Sequence, residues 1–290
     1  MSRARGAVEL APITTDDLAE VGAFLQAHLN QRVSADTWAA TARPPWNVYS
    51  PNHGFLLRDE GRVVGVYLAY YSDRLIRGKT ERFCNLGSWC VNDSHRPHGL
   101  RLLRALLAQP EYHFTDLSPS PTVAAVNARL KFQSIDTATA LVPNLRWPIH
   151  GRGARIISHP DAIEPMLAPE DLQVFRDHRN AAAVRQFAIV HDGGCCVVVV
   201  RKERRRGLPL FASILHVSHP ADFRRHASLV YRHLLVRHRA LASLVELRVV
   251  GHRPAGSRLL AAPRAKMYRS ATLHATDIDD LYSELTCVVW

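Results

Sequence analysis

Lysine is nearly missing from this chain. Of 37 basic residues only Lys79, Lys131, Lys202 and Lys266 are lysines, leaving 33 arginines, a skew that genomic base composition explains as readily as function. Cysteine is scarce and wrongly spaced for metal: five residues separate Cys84 from Cys90, Cys195 and Cys196 are adjacent, and Cys287 stands alone. With no paired Cys-x-x-Cys there is no zinc ribbon, and the five thiols read as reduced core residues. No apolar run reaches the ~20 residues of a membrane span, and none near the start has the form of a signal peptide, so a cytoplasmic protein is expected. The chain also lacks a Gly-x-Ser-x-Gly elbow, a Walker loop and a His-Glu-x-x-His pair, which removes the common hydrolase, nucleotidase and metalloprotease signatures. His226, His233 and His238 are spaced by seven and five, not three or four, so no metal is expected there either.

What is present is an ordinary globular mixture, 47% hydrophobic and 22% charged over 290 residues. This is about twice the ~150-residue prior for a single domain. The net charge of +11 is uneven: residues 1–150 carry 16 basic against 13 acidic side chains (+3), and residues 151–290 carry 21 against 13 (+8). Such a surface attracts nucleic acid, anionic lipid or a phosphate-bearing cofactor, and charge alone does not choose. The densest run, Arg201 to Gly207, has no interleaved aromatics for base stacking, which disfavours nucleic acid as a partner.

Along the chain, Ala7 to Leu10 reads as a strand, and Thr14 to Asp17 caps an amphipathic helix carrying Leu18, Val21, Leu25 and Leu29. A second, shorter helical stretch begins at Ser34. Strand-like runs Gly54 to Leu57 and Val63 to Tyr71 flank the turn Asp59-Glu60-Gly61. Arg77-Gly78-Lys79 then leads to the strand Phe83 to Val91. A leucine-rich helix from Arg96 to Leu107, a strand at Tyr112 to Leu117, a helix at Val123 to Leu130 and a return at Phe132 to Ile135 complete the first half. The segment Trp147 to Pro169, with four prolines and two glycines, is the expected linker. Beyond it the order recurs: a helix from Pro169, strands at Phe187, Cys195 and Leu210, a long helix Asp222 to Leu241, and a strand Leu244 to Val250. Gly61 and Gly193 are 132 residues apart, as are Tyr112 and Leu244, which predicts a tandem duplication. The expected organisation is a first domain over 1–147, a linker over 148–168 and a second domain over 169–290. Tyr282 and Trp290 are expected to pack a terminal helix and strand onto a sheet.

The segment Val91-Asn92-Asp93-Ser94-His95-Arg96-Pro97-His98-Gly99-Leu100-Arg101 lies between a strand and a helix. There, backbone N–H groups and a helix N-terminus are placed to hold phosphate oxygens. The spacing of Val91, Arg96 and Gly99 resembles the acyl-CoA pyrophosphate loop of the GNAT superfamily of N-acyltransferases, Val-x-x-x-x-Arg/Gln-x-x-Gly-x-Gly/Ala. The resemblance covers about residues 7–140. It implies a mixed α/β fold of two GNAT-like mixed-sheet units in tandem, with acetyl-CoA or another acyl-CoA as co-substrate. It further implies that Trp89, Cys90 and Val91 hold the acyl group and that His95, Arg96, His98, Gly99 and Leu100 cradle the pyrophosphate. Pro97 removes one N–H donor, and Arg101 stands where a small residue is usual.

Many members of that family use a tyrosine to protonate the leaving thiolate, and Asn127 occupies its position. Asparagine is no general acid, so Ser118, Ser120, water or the substrate is expected to deliver the proton. Glu81 is the nearby upstream carboxylate for a general base, with Asn85 and Ser88 as orienting groups. The second half's matching turn, His216 to Asp222, has no glycine and carries an acid, so no acyl-CoA is expected there. The implied activity is acyl transfer to a small-molecule or peptide amine. A CoA-binding or regulatory module without turnover is the rival, and a basic nucleic-acid-binding protein ranks lower.

Overall fold

The computed structural model of the chain describes residues 7–145, 153–205 and 208–289. These form two compact units. The first takes the chain up to Gln133 and is rejoined by Met267–His274 and the segment from Tyr282; the second takes Ser134–Lys266 with Ala275–Leu281. In chain order the elements are β1 (Glu9–Pro12), α1 (Leu18–His28), α2 (Ala35–Thr41), β2 (Gly54–Asp59), β3 (Arg62–Ile76), β4 (Lys79–Val91), α3 (Gly99–Leu107), β5 (His113–Asp116), α4 (Pro121–Arg129) and β6 (Gln133–Ser134). There follow β7 (Thr139–Pro143), β8 (Arg155–Ile157), α5 (Pro160–Ile163), α6 (Pro169–His178), β9 (Val184–His191), β10 (Gly194–Arg205) and β11 (Leu208–Val217). The chain ends with α7 (Pro220–His238), β12 (Ala242–Glu246), α8 (Leu247–Val250), β13 (Arg258–Leu259), β14 (Met267–Arg269) and α9 (Glu284–Cys287).

The fold class is mixed α/β with two seven-stranded mixed sheets, ordered β1-β2-β3-β4-β5-β14-β6 and β8-β9-β10-β11-β12-β7-β13. Both repeat one plan. An antiparallel meander fills the first four places, β4–β5 and β11–β12 are parallel, and the sixth place is antiparallel to the fifth. The hairpin turns follow from local chemistry. Glu60 and Gly61 both have positive φ, at 48° and 78°, as do Arg77 and Gly78, at 51° and 79°, the backbone hand that matches strand twist in a two-residue turn.

The unit boundary differs from the expected linker because hydrogen-bond ladders, not composition, define it. β7 pairs with β12 from Thr139↔Glu246 to Pro143↔Ala242, which carries residues 139–143 into the second unit. β14 pairs with β5 at Met267↔Asp116, Tyr268↔Thr115 and Arg269↔Phe114, which returns a late strand to the first. Two of the prolines expected to mark a linker instead open helices, Pro160 and Pro169 in the first turns of α5 and α6, where a missing N–H costs nothing. Residues 148–152 of that stretch, Arg206 and Gly207 of the basic run, and Trp290 lie outside the described residues. The expected strand Leu244 to Val250 also ends early: Leu247–Val250 is helical and is closed by Gly251 at φ 71°.

In the first unit Leu102, Leu103 and Leu106 of α3 bury against Tyr67, Ala69, Cys84, Leu86 and Phe114 of the sheet. Truncating one such leucine to alanine costs about 2–5 kcal/mol. The opposite face holds Trp38, Tyr70, Trp46 and Tyr282, where the Trp46 and Tyr282 rings meet edge to face at 5.2 Å and Trp46 Nε1 donates to the Tyr71 carbonyl at 2.7 Å.

Candidate active site

The site is built where β4 and β5 part. They pair in parallel at Phe83↔His113, Cys84↔Phe114 and Asn85↔Thr115, and β5 ends one residue later at Asp116 while β4 continues to Val91. Among the described residues, the β5 side of Leu86 to Val91 therefore has no strand partner. On the β3 side the register jumps from Leu68↔Gly87 to Val66↔Cys90, so Ser88 and Trp89 form a bulge opposite Tyr67. Ser88 adopts φ 58°, and such a bulge turns backbone groups out of the ladder. Ser88 Oγ is buried without a hydrogen-bond partner.

Trp89 stacks on Tyr67 with ring centroids 4.8 Å apart and planes inclined by 9°. Cys90 is buried, which pushes its thiol up to about 11 and leaves it inert at neutral pH. Beyond Val91 a 3₁₀ turn, Asp93–His98, leads into α3. His95 is anchored on both ring nitrogens, Nε2 to Asp59 at 2.9 Å and Nδ1 to Ser94 at 2.8 Å. Arg96 is exposed, with Asp93 as ion partner at 2.8 Å. A Cβ on Gly99 would lie 3.5 Å from Val91 and 3.6 Å from Trp89, so the helix start rests directly on the bulge. No acidic side chain occupies the first turn of α3, and Arg101 reaches away to the Val8 carbonyl at 2.8 Å.

The candidate catalytic residues fall into separate groups. Glu81 lies toward the far end of β4, with Oε2 on His113 at 3.0 Å and Oε1 on Lys79 at 3.0 Å. Hydrogen bonds from His113 and Lys79 hold its carboxyl below the ordinary range, the wrong direction for a base. Asn85 is buried and braces the fork, donating to Thr115 Oγ1 at 3.0 Å and accepting from the Glu284 N–H at 2.9 Å. Ser118 donates to Glu284 Oε1 at 2.7 Å. Ser120 is the N-cap of α4, its oxygen accepting from the Val123 N–H at 3.3 Å. Asn127 is fully buried and donates through Nδ2 to Asp116 Oδ2 at 2.8 Å, while its Oδ1 has no donor. The structure thus brings Asn85, Ser88 and Ser118 to the fork, and sets Glu81 apart.

Two carboxylates at the fork escaped the sequence reading. Asp116 is buried and accepts from Asn127, the Ser118 backbone and the Tyr67 hydroxyl; burial outweighs these bonds and pushes its carboxyl up to about 6. Glu284 is wholly buried, 166 residues from Ser118 in sequence, and no local pattern marks it. In the second unit the corresponding β11 bulge falls at Leu215, between Val199↔His216 and Val200↔Ile214. The helix that follows carries Asp222 in its first turn, with His191 Nε2 at 3.3 Å. Among the described residues no cluster of three or more His, Cys, Asp or Glu is arranged to hold a metal, and no helix is long and apolar enough to cross a membrane.

No family model and no curated protein matches the sequence. Solved structures share the fold. A GCN5-related N-acetyltransferase from Anabaena variabilis aligns with 90% of this chain and 72% of its own, with a TM-score of 0.61 at 8% identity. Another, from Kribbella flavida, aligns with 93% of this chain and 72% of its own, with a TM-score of 0.53 at 13% identity. The N-myristoyltransferase of Saccharomyces cerevisiae, with bound myristoyl-CoA, aligns with 98% of this chain and 86% of its own, with a TM-score of 0.50 at 10% identity.

Proposed function

We propose a function that starts from the fold, which this chain shares with solved GCN5-related N-acetyltransferases of the GNAT superfamily. In this proposal the chain is an acyl-CoA-dependent N-acyltransferase, moving an acetyl or other small acyl group to an amine on a small molecule or peptide by direct attack in a ternary complex. The observation that carries this reading is the fork: parallel strands that part after Asn85↔Thr115, a bulge at Ser88 and Trp89 beside the opening, and a helix start with no acid in its first turn resting on that bulge. Acyl-CoA suits such a place. Its pantetheine amides can pair with the backbone of β4 that β5 leaves free, and its phosphates would meet the turn at His95 to Leu100. Buried oxygens lacking donors, Ser88 Oγ, Asn92 Oδ1 and Asn127 Oδ1, lie on β4, in the turn after it and on α4. Buried polar atoms are rarely left unpaired, so these favour a polar ligand along the opening.

In this arrangement Trp89, Cys90 and Val91 supply the backbone that holds the thioester carbonyl, polarising it for attack. Arg96 and His98 add positive potential beside the phosphates. Bond formation between nitrogen and carbonyl carbon expels the thiolate, which must then be protonated. The five free cysteines suit a reducing compartment, in keeping with a cytoplasmic enzyme. A second reading, a CoA-binding module without turnover, is favoured by the burial of Asn127 and by the occupied oxygens of Glu81.

Calorimetry with acetyl-CoA, followed by thiol release in the presence of an amine panel, tests both. One site per chain with amine-dependent thiol release is expected. Binding without release under any amine supports the module, and no binding of any CoA thioester removes both readings.

A further inference from the structure

The tyrosine that many GNAT enzymes use toward the leaving sulfur has no counterpart at Asn127, yet the fork holds another titratable group. Asp116 is the first β5 residue beyond the last parallel pair, so its backbone lies where the two strands begin to part, and its buried carboxyl meets Asn127, the residue at the tyrosine's position. It shares the face of Phe114, Tyr67 and α4, the side on which Asn127 lies. Tyr67 stands on β3, two places from β5 in the sheet, and its hydroxyl is near enough to the Asp116 carboxyl to favour the ionised form. Tyr67 is itself clamped by the stack on Trp89. The Asp116 carboxyl accepts from Asn127 Nδ2 on α4 at 2.8 Å, and the Ser118 backbone and the Tyr67 hydroxyl add to the pull toward its ionised form.

We infer that Asp116 is the proton donor to the departing thiolate, with Tyr67 and Asn127 as its positioning residues. The inference rests on the acyltransferase reading. In the step, the amine nitrogen bonds to the thioester carbon, the C–S bond breaks with its electron pair on sulfur, and the Asp116 O–H proton passes to sulfur to give free CoA thiol. The proton lost from the acylated nitrogen enters solvent, and solvent returns one to the carboxylate. Atoms and charge balance without a further reactant.

The electrostatics agree with this role. Burial favours the protonated carboxyl and the three hydrogen bonds oppose it, leaving Asp116 titrating at about 6, below an ordinary thiol at ~8.5, so transfer to a thiolate runs downhill. Tyr67 is held well above its ordinary range by burial and by the charges of Asp116, Glu284 and Cys84, and so stays a neutral donor. The groups bearing on the carboxyl are thus Tyr67 from β3, Asn127 from α4 and the Ser118 N–H, with Cys84 from β4 and Glu284 from α9 facing the Tyr67 phenol.

The test uses the full chain with acetyl-CoA and an amine from the active panel. Asp116→Asn is expected to lower kcat about 10²-fold while leaving acetyl-CoA affinity within about threefold. The wild-type to variant rate ratio, in which the amine's own titration cancels, should fall about tenfold per pH unit above 6. Tyr67→Phe, which keeps the ring and its stack, removes one bond to the ionised carboxylate and should shift that limb to higher pH. An acetyl thioester of a strongly acidic thiol, whose leaving group needs no proton, should restore Asp116→Asn to near the wild-type rate. If Asp116→Asn does not fold, the Tyr67→Phe shift and wild-type pH limb decide. Binding and turnover with a flat rate ratio, or with no limb shift in Tyr67→Phe, overturn this inference alone. Binding without turnover in the wild type also overturns it, and absence of acetyl-CoA binding overturns the acyltransferase reading beneath it.

Discussion

Lys266→Met should be among the most damaging single substitutions in the second unit. Lys266 is buried, and its Nζ lies 2.7 Å from Asp280 Oδ2 and in contact with Glu246 Oε1. Arg248 closes the square, with Nε 2.8 Å from Glu246 Oε2, Nη2 2.5 Å from Asp280 Oδ1 and Nη1 2.8 Å from the Ile278 carbonyl. Two cations meet two anions, so the cluster is neutral although Asp280 is 1% exposed. Burial alone would lower the Arg248 guanidinium's affinity for its proton, but Asp280 and Glu246 raise it, the sign expected of a true ion network. Methionine matches the stem of lysine and fills its volume, yet leaves a net negative charge among groups withdrawn from water. Breaking a buried pair from one side costs about 3–5 kcal/mol, a large share of the roughly 5–15 kcal/mol that holds an ordinary domain together. Urea unfolding should therefore show a clear drop in midpoint at unchanged slope. The double variant Lys266→Met with Asp280→Leu removes one charge of each sign and leaves the Arg248–Glu246 pair, so it should recover most of the loss. A cost below about 1 kcal/mol for Lys266→Met, or a double variant as weak as the sum of its parts, refutes the reasoning.

Three further outcomes follow from contacts in the first unit. Gly99→Ala adds only ordinary van der Waals contacts at 3.5 and 3.6 Å and should leave acetyl-CoA affinity nearly unchanged, whereas Gly99→Asp, which sets an anion at the proposed phosphate site, should weaken it at least about tenfold by calorimetry. Gly87→Ala would press a Cβ to 2.9 Å from Glu284 Cβ and 3.0 Å from Tyr70 Cε2, and should cost about 1–3 kcal/mol in chemical denaturation. Asp116 titrates at about 6 in the fold against 3.8 ordinarily, so the folded state binds its proton more tightly and the wild type loses stability as pH rises from about 4 to 6. Unfolding midpoints should move in favour of Asp116→Asn by ~3 kcal/mol across that window, and a parallel pH dependence in the two proteins denies the raised pKa.

The parts of this fold that were legible in the sequence are those written in neighbouring residues. The Glu60-Gly61 and Arg77-Gly78 turns require positive φ, the leucines of α3 repeat on one face, and the Val91 to Arg101 segment is a turn leading into a helix, so the hairpins and the turn after β4 could be read locally. Long-range pairing could not. β14 joins β5 across some 150 residues of chain, Glu284 meets Asn85 at a separation of 199, and neither contact has a period or a motif. The residue at 127 was readable as asparagine and as no acid. That its amide would aim at Asp116 depends on how α4 rolls against β5, which only packing decides. The prolines misled for a related reason, since proline interrupts a helix from within yet starts one well, and sequence gives little warning of which it will do.

The two units differ most in how the helix after the bulge begins. Both units part a parallel strand pair beside a bulge and then enter a helix. In the first, the helix opens on Gly99 after a turn bearing His95, Arg96 and His98, and no carboxylate of its own meets the partial positive charge of its N-terminus. In the second, Pro220 opens the helix and Asp222 supplies the anion from within, with His191 beside it. A phosphate arriving there would have to displace a carboxylate that is already part of the fold and would meet its repulsion at close range. On the proposed reading, that repulsion would leave acyl-CoA to the first unit, and the extra basic charge of the second half requires no cofactor to explain it.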